Sequence, residues 1–404
     1  MQVTIDIALA LVFVGVFAAL TSRKVRANKQ WIATVTPLAS IVGSGFLVSV
    51  PLISGRVGIW AVPVMVLLTA VAYCLGGAIR YNIRYGEPLF ADEASRHLRS
   101  LEALSQLVLI GAYFISVAYY LVLLATFGLK LFGIANDILA DTISTVLIVG
   151  ICGSGLLKGL AGTERAEKFT VSANLAAIGA LLVCLLLFSL DLPAGFSWFA
   201  TTGQKTVIDW DTIRFLMGLL IIVQGFETSR FMGELYDAQT RITAMRRAQL
   251  LSSLIYVVFF ALMIPLYPDF TATTDVTGVI TTIGRVSAWL PYVVIGGAIA
   301  SQFSASVADS IGASGLISDT SQQRVTSRHA YLLIGAVAVV VIWETNVLSI
   351  ISLASRAFAL FYALQSIVAL LIARQRKAHG TVIWFSILAA IGFAVTLFGI
   401  PAGG

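Results

Sequence analysis

Charged residues are scarce in this chain. Asp, Glu, Lys and Arg together supply 11% of its 404 residues, whereas hydrophobic residues supply 58%. A soluble domain carries roughly 25% charged residues, so the composition excludes an ordinary soluble protein. The sequence instead predicts an all-α polytopic membrane protein, surrounded by the lipid bilayer.

Cysteine and histidine are also rare, with three residues of each. Cys74, Cys152 and Cys184 all fall inside apolar stretches without metal-ligand spacing, so neither a disulfide framework nor a metal centre is predicted from them. No nucleotide-binding loop or nucleophile–base pair can be assembled, which excludes an ATP-driven pump on this chain and predicts no enzymatic activity. A channel is disfavoured because a filter-like loop and a ring of charge are both lacking.

About 12 apolar stretches are long enough to cross a bilayer, which takes about 20 residues. They are residues 3–21, 31–53, 57–79, 103–132, 137–157, 168–190, 211–236, 245–267, 286–318, 329–343, 347–373 and 381–400. Lys and Arg cluster in alternate loops, beginning with the loop 22–29. The positive-inside rule places these loops in the cytoplasm and both termini outside it, in a cell inner membrane. The net charge of +6 reflects this bias, so no nucleic-acid partner is predicted.

Two of these stretches contain residues that interrupt helices. Gly43, Ser44 and Gly45 lie in the middle of 31–53, and Gln224-Gly225-Phe226-Glu227 lies within 211–236. Gly costs about 1 kcal/mol relative to Ala inside a helix, and any backbone group that it frees in hydrocarbon needs a polar partner. Each break is therefore predicted to face a ligand, water or protein. The alternative is tight helix packing through small residues.

The breaks lie at corresponding places in two halves of similar length. Residues 31–190 and 211–375 each hold five predicted spans, so the second half would be inserted upside down. This is the inverted-repeat plan of secondary transporters, whose broken helices meet near the membrane midplane. The remaining segments are a leading transmembrane helix with a basic loop (1–30), an external loop (191–210) and a final transmembrane helix (376–404).

Four stretches carry a family resemblance. They are Leu38 to Leu52 with Gly58-Ile-Trp60, Gly159 to Glu167, Ser229-Arg-Phe-Met232 with Arg246 to Gln249, and Ser304 to Asp319. These stretches resemble the solute:sodium symporter family, whereas Gly225-Phe-Glu227 is similar to the amino acid–polyamine–organocation permeases. Both families share the leucine-transporter fold. The resemblance therefore implies a 5+5 inverted repeat with one extra helix at each end.

The resemblance also implies a sodium site, and no cofactor besides this coupling ion. Carried over residue by residue, Ala39 and Val42 supply backbone carbonyls and Ser304 supplies a hydroxyl. Phe303 stands where the family has a second serine, so this sequence offers fewer ligands. A shifted register would use Ser306 instead. Coupling to sodium and coupling to protons both remain open.

The predicted substrate site lies around the two breaks. It comprises Gly43, Ser44, Gly45, Gln224, Gly225, Phe226 and Glu227, together with Tyr119 and Arg356. The half-helix that starts near Ser44 presents amide donors and a positive dipole end, which suit a substrate carboxylate. The half that ends near Val42 presents carbonyls, which suit a cation.

Charged residues inside spans are costly unless they are paired or hydrated. One interpretation is a structural ion pair of Glu227 with Arg230 or Arg356. The other makes Arg356 a partner of an anionic substrate group and Glu227 a proton acceptor or a ligand of a substrate amine. The family resemblance places Glu167 on an ion path, and Asp309 lies toward the same cytoplasmic end; either could instead be a solvated helix end.

Together, these features predict a secondary active transporter. It would move a small organic solute, such as an amino or organic acid, by alternating access driven by sodium. One alternative is a proton-coupled permease of the same fold, and another is a membrane module that senses the solute without transporting it. The chain is expected to act as a monomer or a weak oligomer.

Overall fold

The structure is a computed structural model that describes residues 2–43, 45–90, 96–158, 164–192, 208–233, 235–270 and 277–401, without the side chains of residues 158 and 164–168. These residues form α-helices and shorter helical turns, with no β-strand among them. The helices of the N-terminal part are α1 (Gln2–Thr21), α2 (Arg23–Ala27), α3 (Lys29–Ile41), α4 (Gly45–Val57), α5 (Ala61–Tyr81), α6 (Glu87–Phe90), α7 (Arg96–Leu131), α8 (Asp137–Lys158) and α9 (Glu164–Leu190). Those of the C-terminal part are α10 (Trp210–Met217), α11 (Ala238–Leu262), α12 (Gly278–Ile283), α13 (Leu290–Thr320), α14 (Ser327–Glu344), α15 (Val347–Gln375) and α16 (His379–Phe398).

Short polar side chains in the loops fix where several helices begin. The Asn28 side chain accepts a hydrogen bond from the Trp31 amide at 3.1 Å at the start of α3. Asp237 caps α11 in the same way through the Thr240 amide at 2.8 Å. These contacts satisfy donors that the first turn of a helix leaves unpaired. They lie in the loops that hold most of the Lys and Arg, and we call that side of the molecule the basic face.

Ten helical stretches of the described chain are long and apolar enough to cross a membrane. The other two predicted spans, 31–53 and 211–236, are the ones that the structure interrupts. Their first pieces, α3 and α10, have only 13 and 8 residues. The sequence-based prediction of a multi-pass helical membrane protein is therefore confirmed, with two of its spans discontinuous.

Helix α7 lies at the centre of the bundle, between α13 and α15. The Tyr113 ring of α7 meets the Phe358 ring of α15 edge to face, with 6.1 Å between centroids. The outer helices cover this core: α1 packs on α9, and α16 packs on α15. A Cβ added at Gly392 of α16 would lie 2.8 Å from the Ala363 Cβ, so a glycine is needed for this approach.

Candidate transport site

The first predicted break is present in the structure. Helix α3 ends at Ile41 and α4 begins at Gly45, while Ser44 lies outside the described residues. The carbonyls at the end of α3 are covered by side chains from other helices. The Ile41 carbonyl accepts a hydrogen bond from the Tyr256 hydroxyl at 3.0 Å, and the Val42 carbonyl accepts one from Asn174 Nδ2 at 3.0 Å. These two carbonyls are thus satisfied inside the protein, as a membrane interior requires.

The second break is more extensive than the sequence predicted. After α10, a 3-10 turn covers Leu220–Val223, and a 3-10 segment covers Phe226–Phe231. Between them, Gly225 has a φ of +113°, a backbone conformation that favours glycine. The predicted break in 211–236 is therefore present, and the chain is tightened into 3-10 geometry on both sides of it.

The two breaks approach each other closely at glycines, where a side chain would not fit between the two backbones. A Cβ at Gly225 would lie 2.6 Å from the Ser40 Cβ. A Cβ at Gly45 would lie 3.1 Å from the Ile222 Cα and 3.5 Å from the Tyr119 hydroxyl oxygen. Gly43 has ordinary space, since its nearest neighbours would be 3.5 Å away. Close approach of the two broken helices therefore depends on Gly225 and Gly45, and not on Gly43.

Glu227 places a buried carboxylate at the second break. Its side chain is almost fully buried, and Oε2 accepts hydrogen bonds from the Tyr362 hydroxyl at 2.7 Å and from the Gly225 amide at 3.1 Å. The Tyr362 ring stacks on Phe226 with centroids 4.9 Å apart. Among the described residues, no Lys, Arg or His lies within ion-pair distance of Glu227. Neutral donors alone hold this carboxylate.

A second buried carboxylate, Asp309 of α13, lies in the same central region. The Ser116 hydroxyl of α7 donates a hydrogen bond to Asp309 Oδ2. The ring of Tyr113, also on α7, lies 6.1 Å from that of Phe358, which lies 6.4 Å from the ring of Tyr362, the residue that donates to Glu227. Asp309 is buried between α7 and α13, so the alternative of a solvated helix end is wrong.

Gln224 and Tyr119 complete the surroundings of the breaks. Gln224 is buried, and its Nε2 donates to the Tyr120 hydroxyl oxygen at 3.4 Å. The Tyr119 ring is also buried and lies 5.4 Å from the Tyr120 ring, centroid to centroid. Of the predicted substrate-site residues, Gly45, Gln224, Gly225 and Tyr119 thus lie close together.

Arg230 has a different partner from the one predicted. Its guanidinium lies 2.9 Å from Glu102 Oε1, with both side chains less than 10% exposed. It also donates a hydrogen bond to Gln365 Oε1, and Gln365 Nε2 donates to Glu102 Oε2 at 3.0 Å. Asn82 joins the group through Gln365 at 2.8 Å. The predicted Glu227–Arg230 ion pair is therefore wrong, and Arg230 instead links the 3-10 segment to α7 and α15.

Arg356 lies away from the breaks. Its side chain is exposed, and Nε donates to the Thr396 carbonyl of α16 at 2.8 Å. The preceding residue, Ser355, is the one that faces the broken helix, because its hydroxyl accepts a hydrogen bond from the Ile221 amide at 2.9 Å. Because neighbouring side chains of an α-helix face different directions, Arg356 points outward while Ser355 faces the broken helix. The predictions that Arg356 pairs with Glu227 or binds substrate are corrected accordingly.

The sequence could have signalled part of what was missed. Asn82, Glu102, Asn174 and Gln365 are polar residues in or beside apolar spans, which is costly in a membrane unless they have partners. Their partners lie more than 100 positions away along the chain, so no local pattern predicts which groups they meet.

Comparison with known proteins agrees with this arrangement. Residues 23–399 match the model of a family described as APC superfamily transporters. The chain belongs to the APC superfamily of transporters. It is also 38% identical over 377 residues to an uncharacterised protein of Aquifex aeolicus (strain VF5), covering 92% of this chain and 91% of that one.

The fold of the transporter is similar to that of a solved symporter. A structure described as the substrate-bound, outward-open state of a Na+-coupled sialic acid symporter aligns with a TM-score of 0.55 and 15% identity, covering 98% of each chain. At that identity the similarity concerns the fold. The predicted leucine-transporter-type fold is confirmed.

The residues of the sodium site that the family resemblance implied lie at the end of α3 and on α13. The Val42 carbonyl oxygen accepts a hydrogen bond from Asn174 Nδ2 at 3.0 Å, and its second lone pair remains available. Ser304 is only half-buried, and Phe303 beside it is 43% exposed. Ser306, from the shifted register, donates its hydroxyl to the Phe303 carbonyl at 2.8 Å. Ala39 is half-buried, and the side chain of Glu167 lies outside the described residues.

The centre of the transporter is closed in this conformation. Phe46, Phe226, Glu227 and Tyr362 are each no more than 1% exposed, so almost no water-sized space adjoins these side chains. Room for a solute at the two breaks therefore requires the surrounding helices to separate.

Proposed function

We propose that the chain is a secondary active transporter that moves a small organic solute by alternating access. The observation that carries this proposal is the direct contact of two broken helices beside the buried Glu227 carboxylate. Broken helices that meet inside a bundle supply the polar backbone groups that an apolar span otherwise lacks. The finer assignment to the solute:sodium symporters is part of this proposal, supported by the sequence motifs.

We infer that the solute carries a carboxylate. Helix α4 begins at Gly45 beside the break, and the first turn of a helix attracts anions. Glu227 then suits a substrate amine or a proton, because its neighbours are neutral donors. An amino acid carries both a carboxylate and an amine, whereas an organic acid carries the carboxylate alone.

Protons are the better-supported coupling ion. Glu227 and Asp309 are buried carboxylates near the centre, and either can carry a proton without an ion pair being broken among the described residues. Sodium remains the second candidate, with Ala39, Val42 and Ser304 as the residues that the family resemblance assigns to it, so the assay includes both ions. We place the protein in the cell inner membrane, with its basic face in the cytoplasm. We expect it to be a monomer or a weak oligomer.

Uptake into proteoliposomes tests the proposal. A pooled metabolite extract is offered under a sodium gradient and a proton gradient imposed separately, and accumulated solutes are identified. Wild type should accumulate at least one carboxylate-bearing solute under the proton gradient, and Glu227→Gln should reduce this to background. Glu344→Gln, the same change at the exposed end of α14, is the matched control. Absence of accumulation and of counterflow exchange under both gradients would overturn transport and favour a sensing role.

A further inference from the structure

A cavity of about 260 Å³ lies at the basic face, where the leading helix meets the first broken helix. Its lining includes Leu20 of α1, Arg26 of α2, Trp31 of α3 and Phe169 of α9. We propose that this cavity binds an anionic phospholipid, whose phosphate lies on Arg26 and whose acyl chain lies against the apolar part of the lining. The inference goes beyond the proposed function, because a sensor of the same fold would keep the site.

The charge around this cavity is of one sign. Residues 20–36 contain four Lys and Arg residues and neither Asp nor Glu. Arg26 brings one of these charges into the lining. Its side chain is exposed, and no carboxylate of a described residue lies within ion-pair distance of it. A guanidinium can bond two phosphate oxygens at once, so Arg26 is available to an anion from outside the protein.

The apolar part of the lining favours a lipid over a free anion. Ile32 and Val35 of α3 and Phe169 of α9 belong to it. The Phe169 ring meets Phe17 of α1 edge to face with 5.1 Å between centroids, yet the residue is 59% exposed. A free phosphate gains nothing from such a wall, because an ion beside apolar surface loses hydration. An acyl chain covers the same wall without that cost.

Two further features place the cavity at the depth of the lipid headgroups. Trp31 is half-buried in its lining, and tryptophan collects at membrane interfaces because its ring is apolar and its indole N–H is a donor. The short helix α2, which connects α1 to α3, carries Arg23, Lys24 and Arg26. Basic pockets between spanning helices on the cytoplasmic side are places where anionic headgroups bind. Since 11% of the apolar window of α1 is buried in the protein, a lipid here would strengthen the attachment of α1 to α3.

Lipid-dependent melting of the purified full-length protein tests the proposal. Dioleoyl phosphatidylglycerol, dioleoyl phosphatidylcholine or sodium phosphate is titrated into the detergent-solubilised protein at constant ionic strength. Phosphatidylglycerol should raise the melting temperature saturably by at least about 2 °C more than phosphatidylcholine does, and phosphate should not raise it. Arg26→Gln should remove at least half of this difference between the two lipids. Lys24→Gln, which removes the same charge from the same short helix outside the cavity lining, is the matched control and should keep the difference.

Ile32→Trp tests the apolar wall separately from the charge. It fills the cavity and leaves every Lys and Arg in place, so it should also weaken the preference for phosphatidylglycerol. Equal stabilisation by the two lipids, or equal losses in Arg26→Gln and Lys24→Gln, would overturn the proposal in favour of diffuse attraction between the basic face and anionic headgroups. Stabilisation by phosphate equal to that by phosphatidylglycerol would overturn it in favour of a free-anion site. If Arg26→Gln does not fold, Ile32→Trp decides, and an unchanged lipid preference in that variant refutes the site.

Discussion

Arg230 and Arg356 have the same chemistry but different surroundings. The Arg230 guanidinium is buried against Glu102 at 2.9 Å, whereas Arg356 is exposed and bonds one carbonyl of α16. Removing one partner of a buried ion pair costs about 3–5 kcal/mol, because the other charge remains buried. An exposed charge contributes about 1 kcal/mol or less.

Arg230→Ala should therefore lower the thermal stability of the detergent-solubilised protein strongly, and Arg356→Ala should hardly change it. Each variant serves as the control for the other, and Glu102→Gln should reproduce the loss seen for Arg230→Ala. Uptake by Arg356→Ala should also stay near wild type. Similar melting temperatures for the two arginine variants would contradict the assignment of Arg230 to a buried pair.

At single positions, the sequence predicted which residues interrupt or strain a spanning helix better than it predicted the partners of those residues. Gly225 and Glu227 stood out because glycine and glutamate are costly in a spanning helix. Arg230 was assigned to Glu227 because the two are three residues apart. In the structure, the Gly225 amide and the Tyr362 hydroxyl bond Glu227, and Arg230 reaches Glu102 of a distant helix.

At the level of the helices, the close contact between the two broken helices can be tested directly by mutating its glycines. Gly225 has a φ of +113° and touches Ser40, so Gly225→Ala both strains the backbone and separates the two breaks. A strained left-handed position costs about 1–3 kcal/mol for a residue with a Cβ. Gly43→Ala meets only ordinary contacts at 3.5 Å or more.

Gly225→Ala should thus lower both the melting temperature and the uptake, and Gly43→Ala should leave the melting temperature within a few degrees of wild type. The two glycines belong to paired breaks, so Gly43→Ala is the matched control. If Gly43→Ala were the more damaging change, the backbone at the first break would have to be tighter than the structure shows.

The 3-10 segment Phe226–Phe231 is fastened near the basic face by side chains of three other elements. Glu102 holds the Arg230 side chain, and Arg241 donates to the Arg230 carbonyl at 2.8 Å and to both Glu87 carboxylate oxygens at 2.7 Å. Ser229, the residue before Arg230 in this segment, is fully buried. Alternating access would require this side to open, so the contacts must break in each cycle.

Weakening them should expose Ser229 from the basic face. A cysteine introduced as Ser229→Cys should react slowly with a maleimide in an otherwise wild-type protein and faster when Glu102→Gln is added. The control is the same pair of measurements with Glu344→Gln, which lies at the exposed end of α14. Equal labelling rates with and without Glu102→Gln would show that the pair does not restrain opening.

The positions of the glycines predicted where the spanning helices break, but not the conformation of the segments on either side of each break. The α3–α4 break falls at residues 42–44, within the glycine-serine run. The 3-10 geometry after Gly225 has no separate sequence signal, because it follows from contacts with Tyr362, Gln365 and Glu102. The donors that cover the end of α3 come from α9 and α11 and were likewise invisible in the local sequence.

For the whole molecule, hydropathy was the most informative property of the sequence. It predicted a multi-pass helical protein, and the resemblance implied the fold that the comparison with a solved symporter supports. The coupling ion was harder to predict, since it depends on a few atoms around Val42 whose neighbours are set by packing. The orientation of the bundle rests on loop charge alone and stays a prediction.

Orientation can be decided by labelling single cysteines in a variant that lacks Cys74, Cys152 and Cys184. Gln2→Cys and Phe132→Cys should react with an impermeant maleimide in right-side-out membrane vesicles, because both positions are exposed on the side opposite the basic loops. Lys377→Cys, in a basic loop, should react only after permeabilisation. The reason is that Lys and Arg in short loops are retained in the cytoplasm. The opposite labelling pattern would place the Arg230–Glu102 contact at the external entrance, and the same contact would then restrain solute entry instead of release.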